Sequence, residues 1–173
     1  TYHGPGQLVL YPILNLRNYK QDVHWYMRSL EEVVIRTLGS LGIEGAGREE
    51  GLTGVWVNGQ KACAMGVKLS RWLSYHGLAL NVHTDMRHWE GIVPCGLAGR
   101  EVASVETLRD AQGLPPLDAE ALMQRTATAV AGHFEEVFAA HLREPCENDL
   151  TLARHKAMTE VTMAVNTVSS PAS

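Results

Sequence analysis

The sequence has few cysteines and lacks any long apolar run, and both features exclude classes of protein. Its three cysteines, at positions 63, 95 and 146, form no Cys-x-x-Cys pair. An odd number without paired spacing argues against a disulfide framework and indicates a reducing compartment. Charged residues or glycine interrupt every apolar stretch, which predicts no transmembrane helix. We therefore expect an intracellular protein that does not cross a membrane.

Excess charge and biased composition are also lacking. Fifteen basic and nineteen acidic residues give a formal net charge of −4, so no basic footprint for nucleic acid is present. The 16 glycines and 7 prolines are scattered, which excludes collagen-like and disordered classes. A length of 173 residues with 45% hydrophobic residues suits one domain with its own core. Eight histidines keep a zinc site open, although no ligand spacing supports one. We expect no metal and no cofactor.

Hydrophobic periodicity predicts that helices and strands mix in an α+β or α/β pattern. We expect the α+β class, with mixed β-sheets flanked by helices in two layers. Asp22 and Asp118 are typical N-caps, and the apolar spacing after them predicts two long amphipathic helices. Pro12 predicts that the first strand lies at a sheet edge or breaks. Asn58-Gly59 between two β-rich runs predicts a hairpin. The predicted strands cover residues 7–16, 55–57, 60–69 and 71–82, and a short helix covers 104–112.

Two residues could take part in nucleophilic chemistry. The turn Pro94-Cys95-Gly96 can expose a sulfur beside free backbone N–H groups, although a buried structural cysteine is a common alternative. Strand alternation predicts that Lys61 shares a face with Cys63, Met65 and Val67. Such a lysine either snorkels to solvent at the strand end, the more common case, or is held near an anion. Cys63 itself is most simply a core residue.

Two histidines lie beside glycines. In His3-Gly4-Pro5-Gly6 the glycines let the backbone approach another group closely, although an ordinary turn explains them equally simply. His76-Gly77 lies in a predicted strand whose other residues on the face of His76 are mostly apolar. On such a face a histidine is more often a hydrogen-bonded core residue than a catalyst.

Five segments together resemble the lipoyl(octanoyl)transferases, a family of the biotin and lipoate protein ligase superfamily. They are Thr-Tyr-His-Gly-Pro-Gly-Gln at 1–7, Thr-Gly-Val-Trp-Val at 53–57, Lys-Ala-Cys-Ala-Met-Gly-Val at 61–67, Ser-Tyr-His-Gly-Leu-Ala-Leu-Asn at 74–81 and Ile-Val-Pro-Cys-Gly at 92–96. The resemblance implies the ligase catalytic-domain fold. It also implies transfer of an octanoyl group from acyl carrier protein to a lysine of a lipoyl domain, without ATP.

The resemblance also implies roles for individual residues. Cys95 would be the nucleophile that forms the acyl thioester, and Lys61 would be its cationic or basic partner. The substrate-binding residues would be His3, Gly4, Gly6, His76, Gly77, Leu78 and Gly96. Among these, backbone N–H groups near Gly77 and Gly96 are candidates for an oxyanion hole.

The implied partners are octanoyl-acyl carrier protein and lipoyl domains, both those of 2-oxoacid dehydrogenase subunits and the glycine cleavage H protein. We expect a monomer that binds neither nucleic acid nor membrane. The compartment would be a mitochondrion or plastid in a eukaryote, and the cytoplasm in a bacterium. Arg17, Lys20, Lys68, Arg71 and Arg87 are possible docking charges for acidic partners, although most such residues are simply solvated.

The chain departs from the family pattern at its beginning. Family members carry Arg-Gly-Gly and further residues before the segment at 1–7, so the catalytic domain at 1–144 is expected to be N-terminally incomplete. An isolated chain of this kind is expected to be poorly stable or inactive. Residues 145–173 are expected to be a variable tail with a helix near 150–165. A smaller departure is Val102-Ala103-Ser104, where the family usually has Val-Thr-Ser.

Three other functions remain open from the sequence. An ATP-dependent lipoate-protein ligase would not need Cys95. A non-catalytic relative would bind lipoyl domains without forming an acyl adduct. A zinc site would combine Cys95 with His76, His83 or His88.

Overall fold

In the part of the chain that the structure describes, one β-sheet packs with three α-helices. The computed structural model describes residues 2–89, 91, 100–142 and 162–167. Six strands pair antiparallel in the order β2-β3-β4-β5-β1-β6. They are β1 (Gln7–Ile13), β2 (Ala46–Gly47), β3 (Val55–Val57), β4 (Gln60–Ser70), β5 (Leu73–Asn81) and β6 (Thr162–Thr167). The helices are α1 (Val23–Ser40), α2 (Val105–Ala111) and α3 (Ala119–Phe138). The predicted α+β class is confirmed.

Local sequence signals account for the helix starts. The Asp22 carboxylate accepts the N–H of Trp25 at 3.0 Å, and the Asp118 carboxylate accepts the N–H of Ala121 at 2.8 Å. Each acid thus satisfies one of the unpaired N–H groups at the start of its helix. Ser104 caps α2 in the same way. The three predicted helices over these segments are confirmed. No described helix has the length and apolarity that a membrane crossing requires.

The core lies between one face of the sheet and the helices. Cys63, Leu80 and Leu8 are cross-strand neighbours on this face, which we call the helix-covered face. They pack with fully buried side chains of α1 and α3, including Tyr26, Leu30, Val34, Leu38, Val130 and Phe134. The opposite face, which we call the second face, carries Gln7, Val9, Tyr11, Ala64, Gly66 and Ala79 at the alternate positions.

The predicted Asn-Gly hairpin joins β3 to β4. Asn58 and Gly59 have φ of 49° and 80°, and Val57 pairs with Gln60 on either side of them. Positive φ at both central residues matches the right-handed twist of the two strands, which is why this dipeptide favours the turn. The hairpin prediction is confirmed.

The first strand contradicts the prediction of a sheet edge, since β1 lies between β5 and β6. The predicted break does occur on one side, because pairing with β5 ends at Leu10. Beyond it the Pro12 carbonyl accepts the Ser74 hydroxyl at 2.8 Å, and the same hydroxyl oxygen accepts the N–H of Leu14 at 2.8 Å. A serine side chain therefore replaces the ladder hydrogen bonds around the proline.

The C-terminal segment contradicts the predicted helix where the structure describes it. Thr162–Thr167 is strand β6, and it pairs antiparallel with Leu8 to Ile13. A strand of six residues cannot be told from a helix by apolar spacing alone, which is the reason for the error. The remainder of the predicted helix, within 150–161, lies outside the described residues.

Candidate active site

Lys61 lies at a β-bulge at the start of β4. Val55 is opposite Cys63 and Trp56 is opposite Lys61, so β4 carries one extra residue, Ala62, between the two pairs. Directly opposed residues of antiparallel strands share a face, and an extra residue reverses the alternation. Lys61 therefore lies on the face of Trp56, whereas Cys63 lies on the helix-covered face. The predicted shared face of Lys61 and Cys63 is wrong, because regular alternation does not allow for the bulge.

The Lys61 side chain is enclosed at this position. Lys61 is only 5% exposed, and its Nζ lies 5.2 Å from the centroid of the Trp56 ring. A Cβ on Gly54 would come within 2.8 Å of Lys61 Cε and 2.5 Å of the Cys63 carbonyl oxygen, so only glycine fits beside the lysine stem. The interpretation of Lys61 as a lysine that snorkels to solvent is therefore wrong.

The backbone of Lys61 binds the segment that follows the Cys95 turn. The Lys61 N–H donates to the Glu101 carbonyl at 2.9 Å, and the Ala103 N–H donates to the Lys61 carbonyl at 3.0 Å, forming a parallel bridge to Val102. Cys95 and Gly96 lie outside the described residues. Cys95 precedes Val102 by only seven residues, however, and seven residues span at most about 25 Å. The backbone therefore limits Cys95 to within about 25 Å of Val102, the residue that bridges to Lys61.

His76 lies at a second backbone irregularity, in β5. Its φ is 60°, a left-handed conformation in which histidine is enriched several-fold among non-glycine residues. His76 is exposed, and its ring meets the ring of Tyr11 edge-on at 5.8 Å. The interpretation of His76 as a core residue is wrong, because the left-handed residue interrupts the alternation and turns the imidazole toward Tyr11.

The two predicted binding residues after His76 differ in their surroundings. A Cβ on Gly77 would overlap the Leu10 carbonyl oxygen and approach Pro12 Cδ to 2.7 Å, so glycine lets β5 pass close to β1. Leu78 is 2% exposed and packs in the core on the helix-covered face, opposite Met65. The structure therefore does not bring Leu78 together with Lys61 and the two histidines.

His3 takes part in a hydrogen-bonded network on the second face. Its Nδ1 lies 2.6 Å from Gln7 Oε1, and its Nε2 lies 3.2 Å from the Tyr11 hydroxyl. Gln7 Nε2 donates to Asn81 Oδ1 at 3.0 Å, which leaves Gln7 Oε1 as the acceptor. His3 therefore donates from Nδ1, and in the neutral imidazole Nε2 is the acceptor for the Tyr11 hydroxyl. The same tyrosine contacts both histidines.

The network continues to the backbone of Lys61. Asn81 Nδ2 donates to the Ala103 carbonyl at 3.3 Å, and Ala103 is the residue whose N–H donates to Lys61. Gln7 and Asn81 are 1% and 3% exposed, so water does not compete for these bonds. His3 and Lys61 are thus connected through the buried side-chain amides of Gln7 and Asn81 and the backbone of Ala103. The sequence reasoning missed Gln7, Tyr11 and Asn81, although polar residues at alternate positions of a strand are a usable signal.

The predicted glycines at 4 and 6 hold the loop that carries His3. Gly6 has φ of 79°, and a Cβ there would come within 2.6 Å of the His83 carbonyl oxygen. The Gly6 carbonyl accepts the N–H groups of Val82 and His83, each at 3.0 Å. A Cβ on Gly4 would overlap the Tyr2 side chain. The loop therefore lies tightly against the end of β5, where only small residues fit.

A buried carboxylate supports the Gly54 turn beside Lys61. Glu31 of α1 is 1% exposed, and its Oε1 accepts the Gly54 N–H at 3.2 Å. Its Oε2 accepts Arg28 Nη1 at 2.7 Å and Arg48 Nε at 3.0 Å. Two guanidinium groups therefore offset the cost of burying this carboxylate.

Cys63 is a structural thiol. It is fully buried, and burial raises the pKa of its thiol well above the usual range, even though the nearby Lys61 charge acts in the opposite direction. A thiol without an accessible thiolate is not a nucleophile. The prediction that Cys63 is a core residue is confirmed. Among the described residues, no three His, Cys, Asp or Glu side chains are grouped so that they could hold a metal ion.

Sequence comparison relates the chain to known enzymes. The family model described as the lipoyl protein ligase A/B catalytic domain matches residues 1–131. The chain is 51% identical over 139 residues to the chloroplastic octanoyltransferase of Arabidopsis thaliana, which covers 80% of the chain and 50% of that enzyme. It is 47% identical over 149 residues to an octanoyltransferase of Nostoc punctiforme, covering 86% and 60%. The chain thus spans only half to three-fifths of the length of these relatives.

Comparison with solved structures shows that the chain has the fold of lipoate protein ligases. A bipartite lipoate protein ligase from Thermoplasma acidophilum, described together with its E2 lipoyl domain, matches with a TM-score of 0.56 at 19% identity. The match covers 88% of the chain and 60% of that protein. Lipoate-protein ligase A, solved with ATP bound, matches with a TM-score of 0.59 at 18% identity, covering 86% and 60%. At such identities the likeness concerns the fold.

Proposed function

Since the chain belongs to the lipoyl protein ligase A/B catalytic domain family, we propose that it acts in octanoyl transfer. The group would move from octanoyl-acyl carrier protein to the target lysine of a lipoyl domain through a thioester on Cys95. Relatives named octanoyltransferase at 47–51% identity support this assignment. The structural observation that carries it is the enclosed Lys61, whose backbone binds the segment seven residues beyond Cys95.

The reaction we propose has two steps. In the first, the Cys95 thiolate attacks the carbonyl carbon of the carrier thioester, and the bond to the carrier sulfur breaks as the octanoyl–Cys95 thioester forms. The carrier leaves as a thiol after taking up a proton. In the second step, the neutral amine of the acceptor lysine attacks the Cys95 thioester, forms an amide and releases the Cys95 thiol. One thioester is exchanged for another before the amide forms, so ATP is not required.

Lys61 is the partner that this chemistry needs. A free cysteine has a pKa of about 8.5 and is mostly protonated at neutral pH. The Lys61 ammonium would stabilise the Cys95 thiolate by its charge, and it could donate a proton to the departing carrier thiolate. Enclosure strengthens both effects, because an ammonium removed from water acts through a lower dielectric.

We assign supporting roles to the residues on the second face. The group of His3, Tyr11 and His76 would orient the thioester. The Gln7 and Asn81 amides would fix the position of this group relative to Lys61. Gly4 and Gly6 would hold the His3 loop, while the N–H groups near Gly77 and Gly96 would be available to the oxyanion. Leu78 has a structural role in this arrangement.

Partners and compartment follow from the proposed reaction. We propose octanoyl-acyl carrier protein as donor, and lipoyl domains of 2-oxoacid dehydrogenase subunits and of the glycine cleavage H protein as acceptors, with the enzyme acting as a monomer. The chloroplastic relative supports a plastid for a eukaryotic source, with a mitochondrion as the alternative and the cytoplasm for a bacterium. We propose residues 1–144 as the catalytic domain, to which Thr162–Thr167 adds a strand.

The experiment is intact-protein mass spectrometry after mixing the purified, correctly folded full-length protein with octanoyl-acyl carrier protein. We expect one octanoyl adduct that maps to Cys95. The adduct should be absent in Cys95→Ser and should form at least tenfold more slowly in Lys61→Ala. Cys63→Ser is the matched control, because the buried Cys63 thiol is not a nucleophile. An adduct that persists in Cys95→Ser, or activity that depends on ATP and free octanoate, would show a different mechanism.

A further inference from the structure

Trp56 is the residue directly opposite Lys61 on β3, and its ring contacts two cations. Lys61 Nζ lies 5.2 Å from the ring centroid, and the Arg100 guanidinium carbon lies 5.5 Å from it. Both distances lie within the range of a cation–π interaction. Trp56 is 2% exposed, and the attraction is strongest where water is excluded.

The indole N–H of Trp56 makes no hydrogen bond to any residue that the structure describes. Nε1 is buried and has no hydrogen-bond partner in the described part of the chain. A buried donor without a partner costs free energy, so phenylalanine would serve better if only an apolar filler were needed. The large aromatic face is what distinguishes tryptophan here, and that face is the part that the two cations contact.

Arg100 links the same ring to the chain beyond Cys95. It is five residues from Cys95, and its Nη2 also binds Glu49 Oε2 at 3.0 Å. One indole therefore contacts the Lys61 ammonium and an anchored residue of the segment that follows the Cys95 turn.

We propose that Trp56 is a positioning residue that holds the Lys61 ammonium in place for the chemistry at Cys95. It acts through Lys61 and does not contact the substrate. The inference rests on the proposed function, in which Lys61 activates Cys95. It adds that the reactivity of Cys95 depends on the π face of residue 56 and on no hydrogen bond from it.

The test is a double-mutant cycle between positions 56 and 61. Trp56→Leu removes the π face, Trp56→Phe keeps an aromatic face, and each is combined with Lys61→Ala. Two rates are measured for each protein by peptide mass spectrometry: alkylation of Cys95 by iodoacetamide at pH 7, and octanoyl-adduct formation. Trp25→Leu is the matched control, because it also removes a tryptophan ring, but one that contacts the aromatic residues Tyr19 and Phe138. Both rates should stay at the wild-type value in this variant.

We expect Trp56→Leu to slow both rates about tenfold, with Trp56→Phe within about threefold of wild type. In the Lys61→Ala background, Trp56→Leu should cause no further loss, because its effect passes through Lys61. An unchanged rate in Trp56→Leu overturns the proposal. So does a further tenfold loss in the Lys61→Ala background, which would show that Trp56 acts independently of Lys61.

A second measurement applies if Trp56→Leu fails to fold. Site-specific incorporation of mono-, di- and trifluorotryptophan at position 56 weakens the negative potential of the ring with little change of shape. The two rates should fall stepwise with each fluorine, and equal rates across the series overturn the proposal. Alkylation needs no octanoyl donor, so the two hypotheses can fail separately. A wild-type protein that takes no octanoyl group but shows the full alkylation cycle would contradict the proposed function alone.

Discussion

Gly77 and Gly66 are register partners on β5 and β4 with opposite tolerance for a side chain. A Cβ at Gly77 would overlap the Leu10 carbonyl oxygen, whereas a Cβ at Gly66 would meet no atom within 4 Å. We expect Gly77→Ala to destabilise the protein by about 3 kcal/mol, because β5 and β1 must separate. Gly66→Ala, the control, should be neutral or stabilising by up to about 1 kcal/mol. Urea unfolding of both variants measures the difference.

Equal stabilities of the two alanine variants would contradict the close approach of β5 to β1. The approach matters for function because it holds His76, the residue before Gly77, against Tyr11. A Gly77→Ala protein that still folds should therefore also lose part of its octanoyl-transfer rate.

Single residues also show where sequence reasoning succeeds. Gly6 and Gly77 could be identified from the sequence as glycines beside candidate histidines, but the group that each must avoid belongs to a residue distant in the chain. Gln7 and Asn81 are 74 residues apart, and their hydrogen bond could not be inferred from local sequence. His3, Lys61 and Cys95 came from the resemblance of five segments. The connection of His3 to Lys61 through Gln7, Asn81 and Ala103 could be recognised only in the folded structure.

At the scale of elements, Glu31 ties helix α1 to the turn before β3. Its carboxylate accepts the Gly54 N–H and two arginine side chains, while the neighbouring Glu32 is one-third exposed and binds Arg36 and Arg48. We expect Glu31→Ala to cost about 3 kcal/mol, because the buried Gly54 N–H loses its acceptor while Arg28 and Arg48 each lose an ion pair with a buried carboxylate. Glu32→Ala should cost about 0.5 kcal/mol, as is typical of exposed ion pairs. Chemical denaturation measures both values.

Amide hydrogen exchange provides the local readout of the same variants. The Gly54 amide should exchange markedly faster in Glu31→Ala and at the wild-type rate in Glu32→Ala. Similar Gly54 exchange in the two variants would show that the turn is held by other contacts.

Elements with local signals were the predictable part of the fold. N-caps, periodic apolar spacing and the Asn58-Gly59 turn depend on neighbours within four residues, so α1, α3 and the β3–β4 hairpin followed from the sequence. The bulge at Ala62 and the left-handed His76 depend on which residue of a neighbouring strand lies opposite. Regular alternation consequently misplaced both Lys61 and His76, the two residues that the irregularities turn away from the expected faces. Strand β6 was missed for the related reason that its pairing with β1 is long-range.

At the scale of the whole molecule, the two faces of the sheet carry different sets of residues: the core on one face and the candidate active-site residues on the other. One face packs on α1 and α3 and contains Cys63 and Leu78, whereas the second face carries the network from His3 through Gln7 and Asn81 to the Lys61 backbone. The segment after Cys95 binds that backbone at Glu101 and Ala103. In the reaction we propose, Cys95 acts with the enclosed Lys61, in a protein that belongs to the lipoyl protein ligase A/B catalytic domain family.

The most direct test of this account is transfer from the isolated acyl-enzyme. The protein is loaded with isotope-labelled octanoyl-acyl carrier protein, separated from the carrier, and mixed with a lipoyl domain in the absence of ATP. We predict that the label leaves Cys95 and appears on the lipoyl-domain lysine at the same rate. A label that stays on Cys95, or an octanoyl-lysine that forms only when ATP and free octanoate are supplied, would contradict the account.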